Sequence, residues 1–175
     1  MTSILSAVEG FATVAIPAVG LIYTYTANRR AQYDRVLAVT DQSCTPPISD
    51  DRHVAGTAFE PTSKHAPSAP VRLSEAEIKA VFNVLWYFGR ADALYVSLRP
   101  PMWSDHITRA QRLLLDSLAA PVETWAGYLR FSWADEHGRE VDATDAITGI
   151  QHLAGEHARL IARLQPRANA STSGD

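Results

Sequence analysis

Apolar side chains are spread unevenly along this sequence, and the densest run lies at its beginning. Residues 4–25 are almost all apolar or small, Glu9 is the single charge among them, and no charged residue occurs between Gly10 and Asn28. About 20 helical residues cover the roughly 30 Å hydrocarbon core of a bilayer. Pro17 is tolerated in membrane helices, whereas it would end or kink a soluble one. The pattern predicts a transmembrane anchor over residues 1–28.

The charges that follow this run predict its orientation. Arg29, Arg30 and Arg35 come directly after it, and no Lys or Arg precedes it. Because cytoplasmic flanks of membrane spans are enriched in Lys and Arg, we expect the N-terminus outside and the rest of the chain in the cytoplasm. A cleaved secretory signal is disfavoured by the absence of a basic residue before the run. A buried core helix of a wholly soluble bundle, over residues 4–25, stays open as an alternative.

Small side chains form a stripe along the predicted anchor. They recur at alternating spacings of four and three: Ser6, Gly10, Thr13, Pro17, Gly20, Thr24 and Ala27. Such a stripe lets two helices approach closely in lipid, although a composition this rich in small residues can produce it by chance. We therefore expect a homo-oligomer formed through this helix as a testable hypothesis.

The chain between the anchor and the main apolar periodicity divides into two parts. Residues 29–42 continue a helical pattern and predict a short basic juxtamembrane helix whose arginines contact anionic headgroups. Residues 43–73 contain five of the ten prolines, mixed with Ser, Thr, Asp and Gly, and show no apolar period. This composition is typical of a linker with little structure of its own.

A helical bundle is predicted over residues 74–165. Ser74 and Glu77 form a capping-box pattern before apolar positions at helical spacing, which continue towards Pro100 and Pro101. A second helix is predicted to start at Ser104 and to break or kink at Pro121. Its apolar positions then continue as Val122, Trp125, Leu129 and Trp133.

Asp142 or Thr144 is expected to cap a last helix that Pro166 ends, before a disordered tail over 166–175. No alternation typical of a strand is visible. The predicted fold class is all-α, a transmembrane helix followed by a small bundle of three or four helices.

Composition and charge exclude several classes of protein. The chain carries a formal net charge of −3 and a single cysteine. A mildly acidic chain without a basic stripe is not expected to bind nucleic acid, and one cysteine excludes a disulfide framework. The sequence contains no phosphate-binding glycine loop, dinucleotide fingerprint, HExxH or nucleophile elbow. We therefore expect no cofactor and no metal, and a role other than catalysis is favoured while an enzyme stays open.

Two polar residues on apolar helix faces are the weak candidates for chemistry. Asp92 falls within the apolar stripe of its predicted helix, where a carboxylate must be paired or protonated. We expect an ion pair with Arg109, Arg112 or Arg130, and an acid–base or ligand role is the alternative. His157 lies between apolar positions of the last helix, where a hydrogen-bonded core histidine is commoner than a metal or haem ligand.

Other polar and aromatic residues have simpler readings. His152 and Glu156 are one turn apart, a spacing that can bind a metal but is also common on exposed helices. Residues 135–138, Asp-Glu-His-Gly, are expected in a solvated turn. Trp86 and Tyr87 lie off the main apolar stripe, which indicates an exposed patch for a partner or a membrane surface.

The order of these parts resembles that of small bacterial single-pass membrane-anchored helical proteins of unknown function. The resemblance lies in residues 4–35 and in the stretch VFNVLWYFGRADALY, Val81 to Tyr95. It implies a location in the bacterial inner membrane and no particular catalytic residue. We therefore expect an uncharacterised membrane protein whose cytoplasmic helical domain acts as an interaction or regulatory module. The alternative is an enzyme or cofactor-binding bundle that uses Asp92 and His157.

Overall fold

The computed structural model describes residues 23–59, 69–98 and 108–170, with side chains up to residue 162. The chain divides into two compact units, Met1–Arg35 and Val36–Asp175. Residues 23–42 are helical (α1), and the boundary between the units falls within this stretch. The predicted juxtamembrane stretch is therefore helical, as the pattern indicates.

The first unit is described only from residue 23 onward. Tyr23 and Tyr25 are exposed, and the Arg29 guanidinium lies 5.6 Å from the centre of the Tyr25 ring. The predicted anchor over residues 1–28 lies outside the described residues except for its last six, and of the small-residue stripe only Thr24 and Ala27 are described, both helical and exposed. Within the described ranges, no helix is both long enough and apolar enough to cross a bilayer.

The second unit is built from helices and two very short strands. After residues 36–42 of α1, its elements in chain order are α2 (Ile48–Phe59), β1 (Val71–Arg72), α3 (Glu75–Ser97), α4 (Arg109–Tyr128), β2 (Trp133–Ala134) and α5 (Thr144–Ala170). The all-α class predicted from the sequence is confirmed. The two strands pair in parallel, Val71 with Trp133 and Arg72 with Ala134. They were not predicted, because the sequence shows no alternation of apolar and polar residues there. Strands of two residues are too short to leave a period-two pattern.

α3 is the central helix of this unit and packs against both α2 and α5. The predicted capping box is present, since the Ser74 hydroxyl accepts from the Glu77 amide and the Glu77 carboxylate accepts from the Ser74 amide. The face of α3 towards the core is buried along its whole length: Ala80, Val81, Val84, Leu85, Tyr87, Phe88, Ala91 and Tyr95.

α5 runs alongside α3 in the same direction. Contacts join residues about 60 positions apart, with Gly89 near Gly149, Asp92 near His152 and Tyr95 near Glu156. α4 runs opposite to α3, because the Gln111 side chain contacts the end of α3 while Trp125 lies beside Phe88. A buried parallel helix pair therefore forms the middle of the unit.

The expected linker over residues 43–73 is wrong for most of the part that the structure describes. Residues 48–59 form α2, in which Ile48, Ala55 and Phe59 are buried. Phe59 has no exposed surface and its ring packs against Trp125, Tyr128 and Trp133. Three buried side chains attach this helix to the core although the residues between them are polar.

The predicted limits of α4 and α5 also need correction. The N-cap of α4 is Thr108, whose hydroxyl accepts from the Gln111 amide, and not Ser104. α4 continues through Pro121. The proline removes one intrahelical hydrogen bond, but buried residues on both sides of it keep the helix packed against the core. Trp133 lies in β2 and not in this helix. α5 extends past Pro166 to Ala170 and thus into the segment expected as a tail.

Candidate functional site

A polar network lies between α3 and α5 and contains the first candidate residue. The Nδ1 atom of His152 lies 2.5 Å from Oδ1 of Asp92, and both side chains are half-buried. The partner of Asp92 is therefore a histidine of α5 and not one of the three arginines expected. The sequence gives no indication of this pairing, since the two residues are 60 positions apart.

Glu156 is the buried member of the same network. The Tyr95 hydroxyl donates a 2.7 Å hydrogen bond to its Oε2, and Arg159 contacts its Oε1. The Nε2 atom of His152 lies 3.8 Å from Oε1. Burial raises the pKa of Glu156, but the hydrogen bond from Tyr95 and the charge of Arg159 together lower the pKa below its ordinary value. Glu156 is thus held as a carboxylate inside the helix interface.

The second candidate residue does not join this network. His157 follows Glu156 on α5, and its Nδ1 lies 3.7 Å from Oε1 of Glu123 on α4. The histidine side chain is mostly buried, whereas the glutamate is mostly exposed. The structure therefore gives Asp92 and His157 different partners on different helices.

The contacts of the network indicate a structural role. Both ring nitrogens of His152 face carboxylates, and both carboxylates lie on the same helix pair. Across the described ranges, no group of three His, Cys, Asp or Glu side chains is arranged to hold a metal ion. The Gln111 side chain also donates to the Tyr95 carbonyl from α4. The network joins three helices through buried polar groups that have partners, which is how such groups are usually kept in a core.

An exposed aromatic residue lies on the opposite side of α3. Trp86 keeps 61% of its surface exposed, whereas its neighbour Tyr87 keeps 1%. The exposure expected for both residues is thus correct for Trp86 and wrong for Tyr87. Tyr87 is buried because it faces α1, where its hydroxyl donates to the Val39 carbonyl at 3.0 Å. Burial raises the pKa of the Tyr87 hydroxyl.

Two cations share the face of α3 that carries Trp86. Lys79 and Arg90 precede and follow Trp86 by seven and four residues, spacings that place them on the same side of a helix. Both are exposed. We call this set, Lys79, Trp86 and Arg90, the Trp86 face.

The remaining predicted positions lie on the surface. Arg29, Arg30 and Arg35 are exposed on helical residues of the first unit. Asp135 is in a turn, as expected, and its carboxylate accepts from the amides of His137 and Arg139. Those hydrogen bonds lower the pKa of Asp135, with the Arg139 amide first among them.

The chain was compared with protein-family models, with curated proteins and with solved structures, and none of them matches it.

Proposed function

We propose that the protein is a single-pass membrane protein whose cytoplasmic helical unit binds an acidic protein partner through the Trp86 face. The observation that carries the binding role is the exposure of Trp86 beside two cations. Tryptophan buries a large area, and tryptophan and arginine are enriched among the residues that dominate binding energy at interfaces. Lys79 and Arg90 complement acidic side chains around an apolar pocket on the partner.

The anchor rests on the sequence of residues 4–25 and on their flanks. Tyr23 and Tyr25 are exposed at the end of that run, and three exposed arginines follow. Membrane spans are typically flanked by tyrosines at the interface and by arginines on the cytoplasmic side. This arrangement supports an anchor in the inner membrane of a bacterium with the helical unit in the cytoplasm. The small-residue stripe in the sequence supports a homo-oligomer in the bilayer, because small side chains let two helices approach closely in lipid.

Membrane fractionation tests the anchor. We expect the full chain to stay in the membrane pellet after an alkaline wash, and a protease added outside to reach a tag at the N-terminus but not one at the C-terminus. Release into the supernatant would contradict the anchor and favour the soluble bundle. Crosslinking in membranes that yields only monomer would contradict the homo-oligomer.

The Trp86 face is tested by comparing two variants of the tagged full chain. Trp86→Ala removes the central aromatic side chain, and Val96→Ala removes an exposed apolar side chain elsewhere on the same helix. We expect the first variant to lose a bound protein that the second retains, with unchanged thermal unfolding in both. Arg90→Glu should weaken the same complex because it places like charges opposite each other.

Retention of the same bound proteins by Trp86→Ala would overturn the proposed interface. Binding that does not weaken as salt concentration rises would contradict the acidic partner, since attraction between exposed charges is screened by salt.

The alternative of an enzyme or cofactor-binding bundle with Asp92 and His157 finds less support in the contacts. Each residue has its own partner within the helix packing. If Asp92→Ala and His157→Ala abolished uptake of a ligand while the fold stayed intact, that alternative would be favoured. Loss of stability alone would support the structural role.

A further inference from the structure

An open groove lies between the last residues of α1 and the middle of α4. Its volume is about 670 Å³, and Leu37 and Asp41 of α1 and Ser117 of α4 are among the residues that line it. Leu37 is its largest apolar side chain and keeps 56% of its surface exposed. No other part of the described chain covers this apolar surface, so the groove is open to a side chain from another molecule.

The charge of the groove is acidic and has no partner within the chain. Asp41 is the only charged side chain among the described residues that line the groove, and it is exposed. Its carboxylate takes part in no hydrogen bond or ion pair across the part of the chain that the structure describes. The groove therefore offers an apolar side chain next to a free carboxylate.

The Trp86 face has the complementary arrangement. An exposed tryptophan lies between two exposed cations, Lys79 and Arg90, and neither cation has an ion-pair partner among the described residues. An aromatic side chain with a cation beside it matches an apolar groove with a carboxylate beside it in both shape and charge. The chain thus presents both halves of one contact.

We propose that the acidic partner of the Trp86 face is a second copy of this chain, which binds it through the groove. Trp86 of one copy packs against Leu37 of the next. Arg90 of the first copy pairs with Asp41 of the second. Trp86 does not line the groove of its own chain, so the contact forms between two copies. This inference rests on the binding role proposed above for the Trp86 face and names its partner.

The contact joins two different surfaces, and this determines the assembly that it can form. Each copy in such a heterologous pair keeps one free surface of each kind for a further copy, which produces a ring or an open array. Copies anchored in one membrane share an orientation, so they repeat about an axis perpendicular to the bilayer. Anchoring also raises their effective concentration, so that one apolar contact and one exposed ion pair are sufficient.

Crosslinking between two differently tagged full chains in lipid vesicles tests the contact. The first chain keeps Cys44, the single cysteine of the sequence, which is exposed in the groove. The second carries Cys44→Ser and Ala93→Cys, which places a thiol on the exposed side of α3 one turn after Arg90. We expect a short bismaleimide to produce a mixed dimer. Thr148→Cys, at an exposed position of α5, replaces Ala93→Cys as the control and should produce little.

Charge reversal then identifies the ion pair. Asp41→Lys in the first chain or Arg90→Glu in the second should each lower the yield of mixed dimer about threefold to fivefold, as expected for one exposed charge pair. The two changes combined should restore the yield. Glu136→Lys reverses an exposed carboxylate outside the groove and should leave the yield unchanged.

Three results would overturn the second copy as the partner of the Trp86 face. They are the absence of a mixed dimer, equal yields from the Ala93→Cys and Thr148→Cys chains, and no recovery when the two charge reversals are combined. The proposed function fails separately, since it depends on whether Trp86→Ala loses a bound protein. If that variant lost a different acidic protein while no mixed dimer formed, the Trp86 face would still be an interface and only the self-contact would be wrong.

Discussion

The close approach of α3 and α5 at Gly149 leads to a prediction whose size follows from the structure. A Cβ atom on Gly149 would lie 2.7 Å from the Cα of Gly89 and 3.2 Å from the carbonyl oxygen of Phe88. Overpacking of a core costs about 1–3 kcal/mol. Because the atoms met here belong to the backbone, no rotation of a side chain relieves the clash. We therefore expect Gly149→Ala to lose about 3 kcal/mol through packing.

Helix propensity offsets part of this loss in the free energy of unfolding, since alanine is favoured over glycine in a helix interior by about 1 kcal/mol. The net destabilisation is then about 2 kcal/mol, and the unfolding midpoint should fall by about 4–8 °C for a protein of this size. Thermal and urea unfolding of the full chain in detergent, followed by far-ultraviolet circular dichroism, measures both quantities.

Gly155 provides the matched control on the same helix. A Cβ atom there would meet nothing within 4 Å, so Gly155→Ala should raise the free energy of unfolding by about 0.5–1 kcal/mol. The same substitution at two positions six residues apart is thus expected to change the free energy of unfolding in opposite directions. If Gly149→Ala proves as stable as the parent chain, α3 and α5 do not approach each other as described.

Three further changes test other parts of the fold. Phe59→Ala should cost about 3–4 kcal/mol, as for other buried aromatic residues, whereas Val54→Ala on the exposed side of α2 should cost less than 1 kcal/mol; equal costs in urea unfolding would mean that α2 does not pack as described. Asp92→Asn should cost about 1–2 kcal/mol through its hydrogen bond to His152, and Asp116→Asn, which breaks an exposed pair, about 0.5 kcal/mol or less. The pKa of Glu156 is lower folded than unfolded, so its stabilisation is present above the unfolded pKa and disappears as pH falls through the folded pKa. Glu156→Gln should therefore flatten the loss of stability on acidification below about pH 4.5, and an unchanged acid limb of the pH–stability curve would contradict that sign.

Local signals in the sequence were sufficient to predict the central helix. The start of α3 is encoded within four residues, Ser74 to Glu77, and its apolar period repeats over six turns. α2 was missed because its buried positions, Ile48, Ala55 and Phe59, are separated by polar residues, and packing rather than local pattern stabilises it.

The candidate network depends on contacts that no local pattern contains. Asp92 was correctly expected to need a partner, but His152 is brought to it only by the parallel arrangement of α3 and α5. In the same way, Trp86 and Tyr87 are adjacent in sequence, and which of them is buried depends on where α1 packs. The sequence shows that His152 and Glu156 are one helical turn apart, but it does not show that α3 packs opposite them.

The 60-residue separation between the partners in α3 and α5 also affects the order in which the chain can fold during synthesis. The α5 segment leaves the ribosome about 3–12 s after the α3 segment that it covers, at about 5–20 residues per second. During this interval α3 can pack against α2 and then against α4. The surface of α3 at Gly89, Asp92 and Tyr95 is not yet covered by α5. Truncation of the chain before residue 149 should therefore produce an aggregation-prone intermediate and not a smaller stable bundle.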